Sequence, residues 1–101
     1  MDYMKYFNWN VEKNEKLKVE RDISFEEVVF YIERGHLLDI LENPNKKKYQ
    51  GQRVFVIQIE NYVYLVPFVE GEKEIFLKTI IPSRKATMRY LKGGGKDAED
   101  E

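Results

Sequence analysis

The spacing of hydrophobic residues changes character twice along the chain. Phe25, Val28, Val29 and Ile32 recur at the interval of one helix face, behind a capping box formed by Ser24 and Glu27. In that box the Ser24 hydroxyl takes the third amide and Glu27 reaches back to the cap; Gly35 then closes the helix. An earlier helix is predicted from Val11 to about Arg21, capped by Asn10. Its apolar residues are only Val11, Leu17 and Val19, so it packs along one narrow edge. From His36 the pattern turns to strands: His36 to Leu41, Arg53 to Ile59, Tyr62 to Val69 and Glu74 to Ile81, with β-branched and aromatic residues dominant. Asn43-Pro44-Asn45 is a turn before an exposed loop through Lys46-Lys47-Lys48 to Gly51, Glu60-Asn61 joins a tight hairpin, and Glu70-Gly71-Glu72-Lys73 is another turn. Pro67 has no N–H for a ladder and is expected at a bulge or an edge-facing position. Pro82 ends the last strand, and Ser83 caps a short helix from Arg84 with Met88 and Leu91 on its apolar side. A short aromatic strand around Tyr6 to Trp9 precedes everything else.

This order predicts an α+β domain: two N-terminal helices packed on one face of an antiparallel β-meander, then a short C-terminal helix. The 101 residues suffice for one core, and seven Tyr and six Phe fill it economically. Residues 1–91 form that domain. Gly93-Gly94-Gly95 and the acidic residues after them make 92–101 a flexible tail. Met1 and Met4 are both candidate starts. No internal repeat is visible, and no apolar run approaches the roughly 20 residues that span a bilayer. No signal-peptide core follows Met1, and no cysteine offers a disulfide or a cysteine-based zinc site. A cytoplasmic protein without membrane contact is expected.

Charge changes this picture only locally. The chain carries −1 overall, but residues 92–101 hold two lysines and four acids, which leaves +1 for residues 1–91. The acids cluster between residues 12 and 42, away from Lys46–Lys48 and from the group Arg84, Lys85, Arg89 and Lys92. Four cations on a short helix at the end of a buried strand keep a terminal helix solvated, or they hold a polyanion.

Three stretches, taken in order, resemble the BrnT-like toxin family. Phe7-Asn8-Trp9-Asn10 with Lys13 is similar to its F-x-W-[DN]-x-x-K opening. Ile23-Ser24-Phe25-Glu26-Glu27 is similar to its V-S-F-E-E helix start. Ile80-Ile81-Pro82-Ser83-Arg84-Lys85-Ala86-Thr87 is similar to its R-I-I-S-A-R-K-A-T ending. The likeness covers about residues 5 to 91. It implies a RelE-like fold and a type II toxin, a ribonuclease that arrests translation and is silenced by a cognate DNA-binding antitoxin. A toxin homodimer, or a larger toxin–antitoxin hetero-oligomer, is implied with it. Glu20-Arg21-Asp22 stands where family members carry K-H-G, which leaves any role of that histidine absent or passed to Arg21. Lys78-Thr79 stands where the family has Arg before its I-I-S segment.

Cleaving RNA without a metal requires activation of the 2′-hydroxyl, stabilisation of the phosphorane charge and a proton for the 5′-oxygen. Arginine grips two phosphate oxygens with a planar fork and stays charged, so Arg84 and Lys85 at a helix start are the first candidates. Arg53 is a possible second clamp, or an edge-protecting surface charge. Lys78 falls on the strand face of Phe76 and Ile80; partial burial there would lower its pKa and suit a base, whereas an exposed edge-strand lysine would be inert. Lys46, Lys47, Lys48 and Arg89 are candidate RNA contacts. His36 is a single histidine after a helix-ending glycine, where a cation is stabilising in any case. Tyr90 and Glu27 are possible proton carriers that also serve as core and cap, and Trp9 stacks either a base or the core. No cofactor, metal-ligand spacing or glycine-rich phosphate loop is present in the pattern. The rival class is a non-enzymatic module that docks a partner or nucleic acid, as an inactive relative would.

Overall fold

The computed structural model describes residues 5–42 and 51–92. The turn at 43–45, Lys46–Lys48, both candidate starts and the tail beyond Lys92 lie outside the described residues. Helix α1 (Val11–Arg21) begins where Asn10 is extended and its side chain accepts the Lys13 amide at 2.8 Å. It ends at Asp22, left-handed with φ 56°, which returns its N–H to the carbonyls of Leu17 and Lys18. Helix α2 (Phe25–Glu33) opens on the predicted box: Glu27 N–H donates to Ser24 Oγ at 3.1 Å and Ser24 N–H to Glu27 Oε1 at 2.9 Å. A third partner was not legible in the pattern. Asn14, buried on α1, accepts the Phe25 N–H at 2.8 Å and donates to Glu26 Oε1, so α1 satisfies a free amide of α2 and ties the two helices together.

Six strands form one sheet: β1 (Tyr6–Trp9), β2 (Leu37–Glu42), β3 (Gln52–Ile59), β4 (Tyr62–Glu70), β5 (Glu74–Leu77) and β6 (Ile81–Pro82). The order is β1-β5-β4-β3-β2, with β6 also on β4. Pairing is antiparallel except for β1, which runs parallel to β5 from Tyr6↔Glu74 to Trp9↔Leu77. The fold is thus α+β with a mostly antiparallel sheet. The single last strand expected from Glu74 to Ile81 is in fact two, and Pro67 supplies the reason. Lys78 N–H donates to the Pro67 carbonyl at 2.8 Å, but Pro67 has no N–H to return. The ladder stops, the chain leaves the sheet at residues 78–80, and pairing resumes at Ile81↔Leu65.

The sheet has two unlike faces. On one, Phe55, Ile57, Ile59, Val66, Phe68, Leu77 and Ile80 bury against Leu17, Ile23, Phe25 and Val28 of the helical layer. Phe55 stacks on Phe68 with ring centroids 3.8 Å apart, and Trp9 stacks on Phe25 at 5.6 Å. Trp9 is therefore a packing residue here. The narrow edge of α1 reduces to Leu17, since Val11 and Val19 are 69% and 85% exposed. Helix α3 (Arg84–Leu91) corrects the expectation of helices on one face, because it lies over the opposite one, against Val56 and Leu65. There Val63 N–H donates to Thr87 Oγ1 at 2.8 Å and Ser83 N–H to the Val63 carbonyl at 3.0 Å. The helix start thereby replaces the ladder partner that β4 lacks beyond β6. Among the described residues no helix is long and apolar enough to cross a membrane.

Candidate functional site

Helix α3 is fixed on its face by its own polar side chains. Ser83 Oγ accepts the Ala86 N–H at 3.0 Å, and Thr87 both accepts from Val63 and donates its hydroxyl to the Ser83 carbonyl at 2.8 Å. At the far end the Tyr90 hydroxyl donates to Asp39 Oδ2 on β2 at 2.9 Å. Arg84, Lys85 and Arg89 are left exposed on a clamped helix, and none forms an ion pair with a described residue. Lys85, Arg89 and Tyr90 edge a cleft of about 290 Å³ whose apolar lining includes Leu41, Val56 and Leu65. Burial pushes the Tyr90 hydroxyl above the usual phenol range, and its bond to Asp39 pushes the same way. Tyr90 thus keeps its proton at neutral pH, next to two cations.

The other predicted residues divide. Lys78 follows β5 on the α3 side, exposed, with its ammonium 5.9 Å from the Phe76 ring centre. The partial burial considered for it is not found: the chain has left the sheet at that point, and Ile80 turns into the opposite core. Arg53 pairs across to Phe68 and faces the α1/α2 layer. Its guanidinium lies 5.3 Å over the Phe68 ring and bonds to Glu70, which also takes Lys5 Nζ at 2.6 Å. The Lys5 bond first, and the Arg53 bond after it, hold the Glu70 carboxyl below the usual carboxylate range. Arg53 and Arg84 therefore sit on opposite faces and do not converge. His36 packs edge-on against Tyr31 at 5.2 Å, on the α2–β2 connection. Among the described residues no group of three or more His, Cys, Asp or Glu is placed to hold a metal ion.

A second cleft, of about 400 Å³, was not anticipated. It opens where α1 gives way to α2 beside the β3–β4 hairpin, lined by Arg21, Asp22, Glu27, Glu60, Tyr62 and Tyr64 over Ile23 and Ile59. Arg21 Nη1 donates to the Ile80 carbonyl at 2.6 Å, so this arginine reaches the link that leads into α3. Tyr64 pairs with Pro82, two residues before Arg84. The cleft and the start of α3 are thus on the two sides of one strand edge. Burial raises the Tyr64 hydroxyl above the usual phenol range, helped by Tyr62, Glu27 and Glu60. Tyr62 and Tyr64 are two residues apart on one strand face; nothing in that spacing separates a cleft wall from core.

No family model matches the chain, and no curated protein and no solved structure matches it either.

Proposed function

We propose that this protein is a cytoplasmic, metal-independent endoribonuclease: a RelE-like toxin of a type II toxin–antitoxin pair that arrests translation by cutting RNA. The observation that carries the reading is α3. A helix with exposed Arg84, Lys85 and Arg89 is locked to the sheet by Ser83, Thr87 and Tyr90, so its cations are preorganised. The ordered resemblance to BrnT-like toxins points to Arg84 and Lys85 among them. In the reaction the 2′-hydroxyl gives its proton to solvent water as its oxygen attacks phosphorus, the phosphorane collapses, and the P–O5′ bond breaks to leave a 2′,3′-cyclic phosphate and a 5′-hydroxyl. Arg84 and Lys85 hold the equatorial oxygens, and Arg89 holds an adjacent phosphate. Tyr90, kept protonated by burial, turns its hydroxyl from Asp39 to donate to the leaving 5′-oxygen and takes a proton back from solvent. Arg53 takes no part, because Glu70 and Phe68 occupy it.

The partner is a cognate DNA-binding antitoxin covering the α3 surface, as a toxin–antitoxin hetero-oligomer or with a toxin homodimer inside it. A second reading, a docking module without catalysis, is favoured by the outer edge of β2, where Leu38, Ile40 and Leu41 are 36–41% exposed. Incubating purified mixed RNA with excess EDTA, with and without ribosomes, separates the two. Cleavage by the wild type and its loss in Arg84→Ala is expected. No cleavage by either protein would leave the docking module.

A further inference from the structure

The Arg21–Tyr64 cleft takes no part in holding the phosphate. Its charged groups are Asp22, Glu27 and Glu60 against Arg21, the wrong sign for a polyanion backbone. One wall is the edge-to-face pair of Tyr62 and Tyr64, with ring centroids 5.7 Å apart and planes inclined at 65°, and the floor is aliphatic. Such a space suits a flat group that stacks and donates hydrogen bonds. Glu27 spends Oε1 on the Ser24 amide, which leaves Oε2 as an acceptor; Glu60 contributes a carboxylate, and Asn61 an amide. Among nucleobases only guanine presents two adjacent donors, N1–H and N2–H₂, on one edge, which a carboxylate accepts together.

We infer that this cleft is a guanine-reading subsite: the base of a nucleotide whose phosphate lies on α3 crosses the β4–β6 edge and stacks against the Tyr62–Tyr64 ring pair, its donor edge on the Glu27 and Glu60 carboxylates. The inference rests on the proposed RNA-cutting role and adds to it the base at the cut. Adjacency supports it, since Tyr64 pairs with Pro82 and Arg21 reaches the Ile80 carbonyl, both in the link to α3. Adenine puts an acceptor where guanine has N1–H and so meets a carboxylate with a lone pair. The runner-up occupant, an arginine side chain of a protein partner, satisfies the charge but covers less of the tyrosine pair.

The test is a titration of the ¹⁵N-labelled full chain with GMP, AMP, CMP and UMP, and with N-acetylarginine amide. All four nucleotides carry the same phosphate, so differences among them report the base. GMP is expected to move the Asn61, Tyr62 and Tyr64 amide signals and to bind at least about tenfold more tightly than AMP. Tyr62→Ala should abolish binding, and Glu60→Gln, which keeps shape and fold, should remove the GMP preference. Sequencing of RNA fragments should then place the cuts beside G. Equal GMP and AMP affinities would overturn the subsite, as would tighter binding of N-acetylarginine amide. GMP preference with uncut RNA sustains the subsite and sinks the ribonuclease. Cutting with neither base preference nor GMP binding does the reverse.

Discussion

The two faces of the sheet divide the protein's work. Under α1 and α2 the middle of the sheet is packed: Phe25, Val28, Ile57, Val66 and Leu77 are fully buried there, the cleft beside Tyr64 opens only at the rim, and Arg53 is consumed by Glu70 and an aromatic ring. The face under α3 is half open, with Leu41 40% exposed and three cations standing above the sheet. Polar groups follow the same division. Asn14 on the packed side satisfies a helix amide and has nothing left over, whereas Tyr90 and Thr87 on the open side hold a charged surface in place. One face supplies stability and the other supplies geometry.

The largest effect should come from the packed face. Phe68→Ala removes half of the Phe55 stack and should cost about 3–5 kcal/mol in urea unfolding; a cost under about 1 kcal/mol would mean the two faces share the core. Arg84→Ala should leave unfolding unchanged within about 0.5 kcal/mol while RNA cleavage falls about 10²-fold or more. If the variant unfolds as readily as Phe68→Ala, the division fails. Thr87→Val lies between these cases. It strips the only described acceptor from the Val63 N–H and should cost about 1–3 kcal/mol, with a loss of cleavage as α3 loosens.

The recognisable parts were those in which short-range chemistry decides. Asn10, Ser24 and Ser83 each cap the helix predicted to follow, because a cap and the amide that donates to it lie within three residues. The hairpin about Glu60-Asn61 is equally local. What failed depended on partners far along the chain. Pro67 breaks the last strand by what it withholds from Lys78, and no window around residue 78 shows this. Alternation gave Lys78 its face but could not show that the sheet ends before it, and nothing near residue 53 showed that Arg53 faces away from α3 with Glu70 occupying it. Arg84, Lys85 and Arg89 were legible because their position on a capped amphipathic helix is local too. The tyrosine cleft was not, since β4 brings Tyr64 beside Pro82 and α1 brings Arg21 beside Ile80.

Two smaller predictions probe the margins of each face. Glu70→Gln should cost no more than about 1 kcal/mol, because the carboxylate is a third exposed and screened by solvent. Its lowered pKa sets the direction: the contribution is complete above the ordinary carboxylate range and fades as pH falls below it, so the wild-type advantage over Glu70→Gln should vanish in acid. On the open face, Tyr90→Phe should remove one late-ionising phenol from an alkaline absorbance titration, beyond the ordinary value of about 10. If the seven tyrosines of the wild type titrate as one ordinary group, the Tyr90–Asp39 bond does not hold in solution.

The parallel pairing of β1 with β5 bears on how the chain is made. Asn8 and Glu74, joined by a side-chain bond in that pairing, are 66 residues apart. Loop closure over such a span is slow and cannot start until both ends exist. A chain still emerging from the ribosome therefore has no complete sheet until β5 is out, and α3, with its cations, is synthesised last of the described elements. A chain that has not reached β5 is left with an unpaired aromatic strand and no cationic helix.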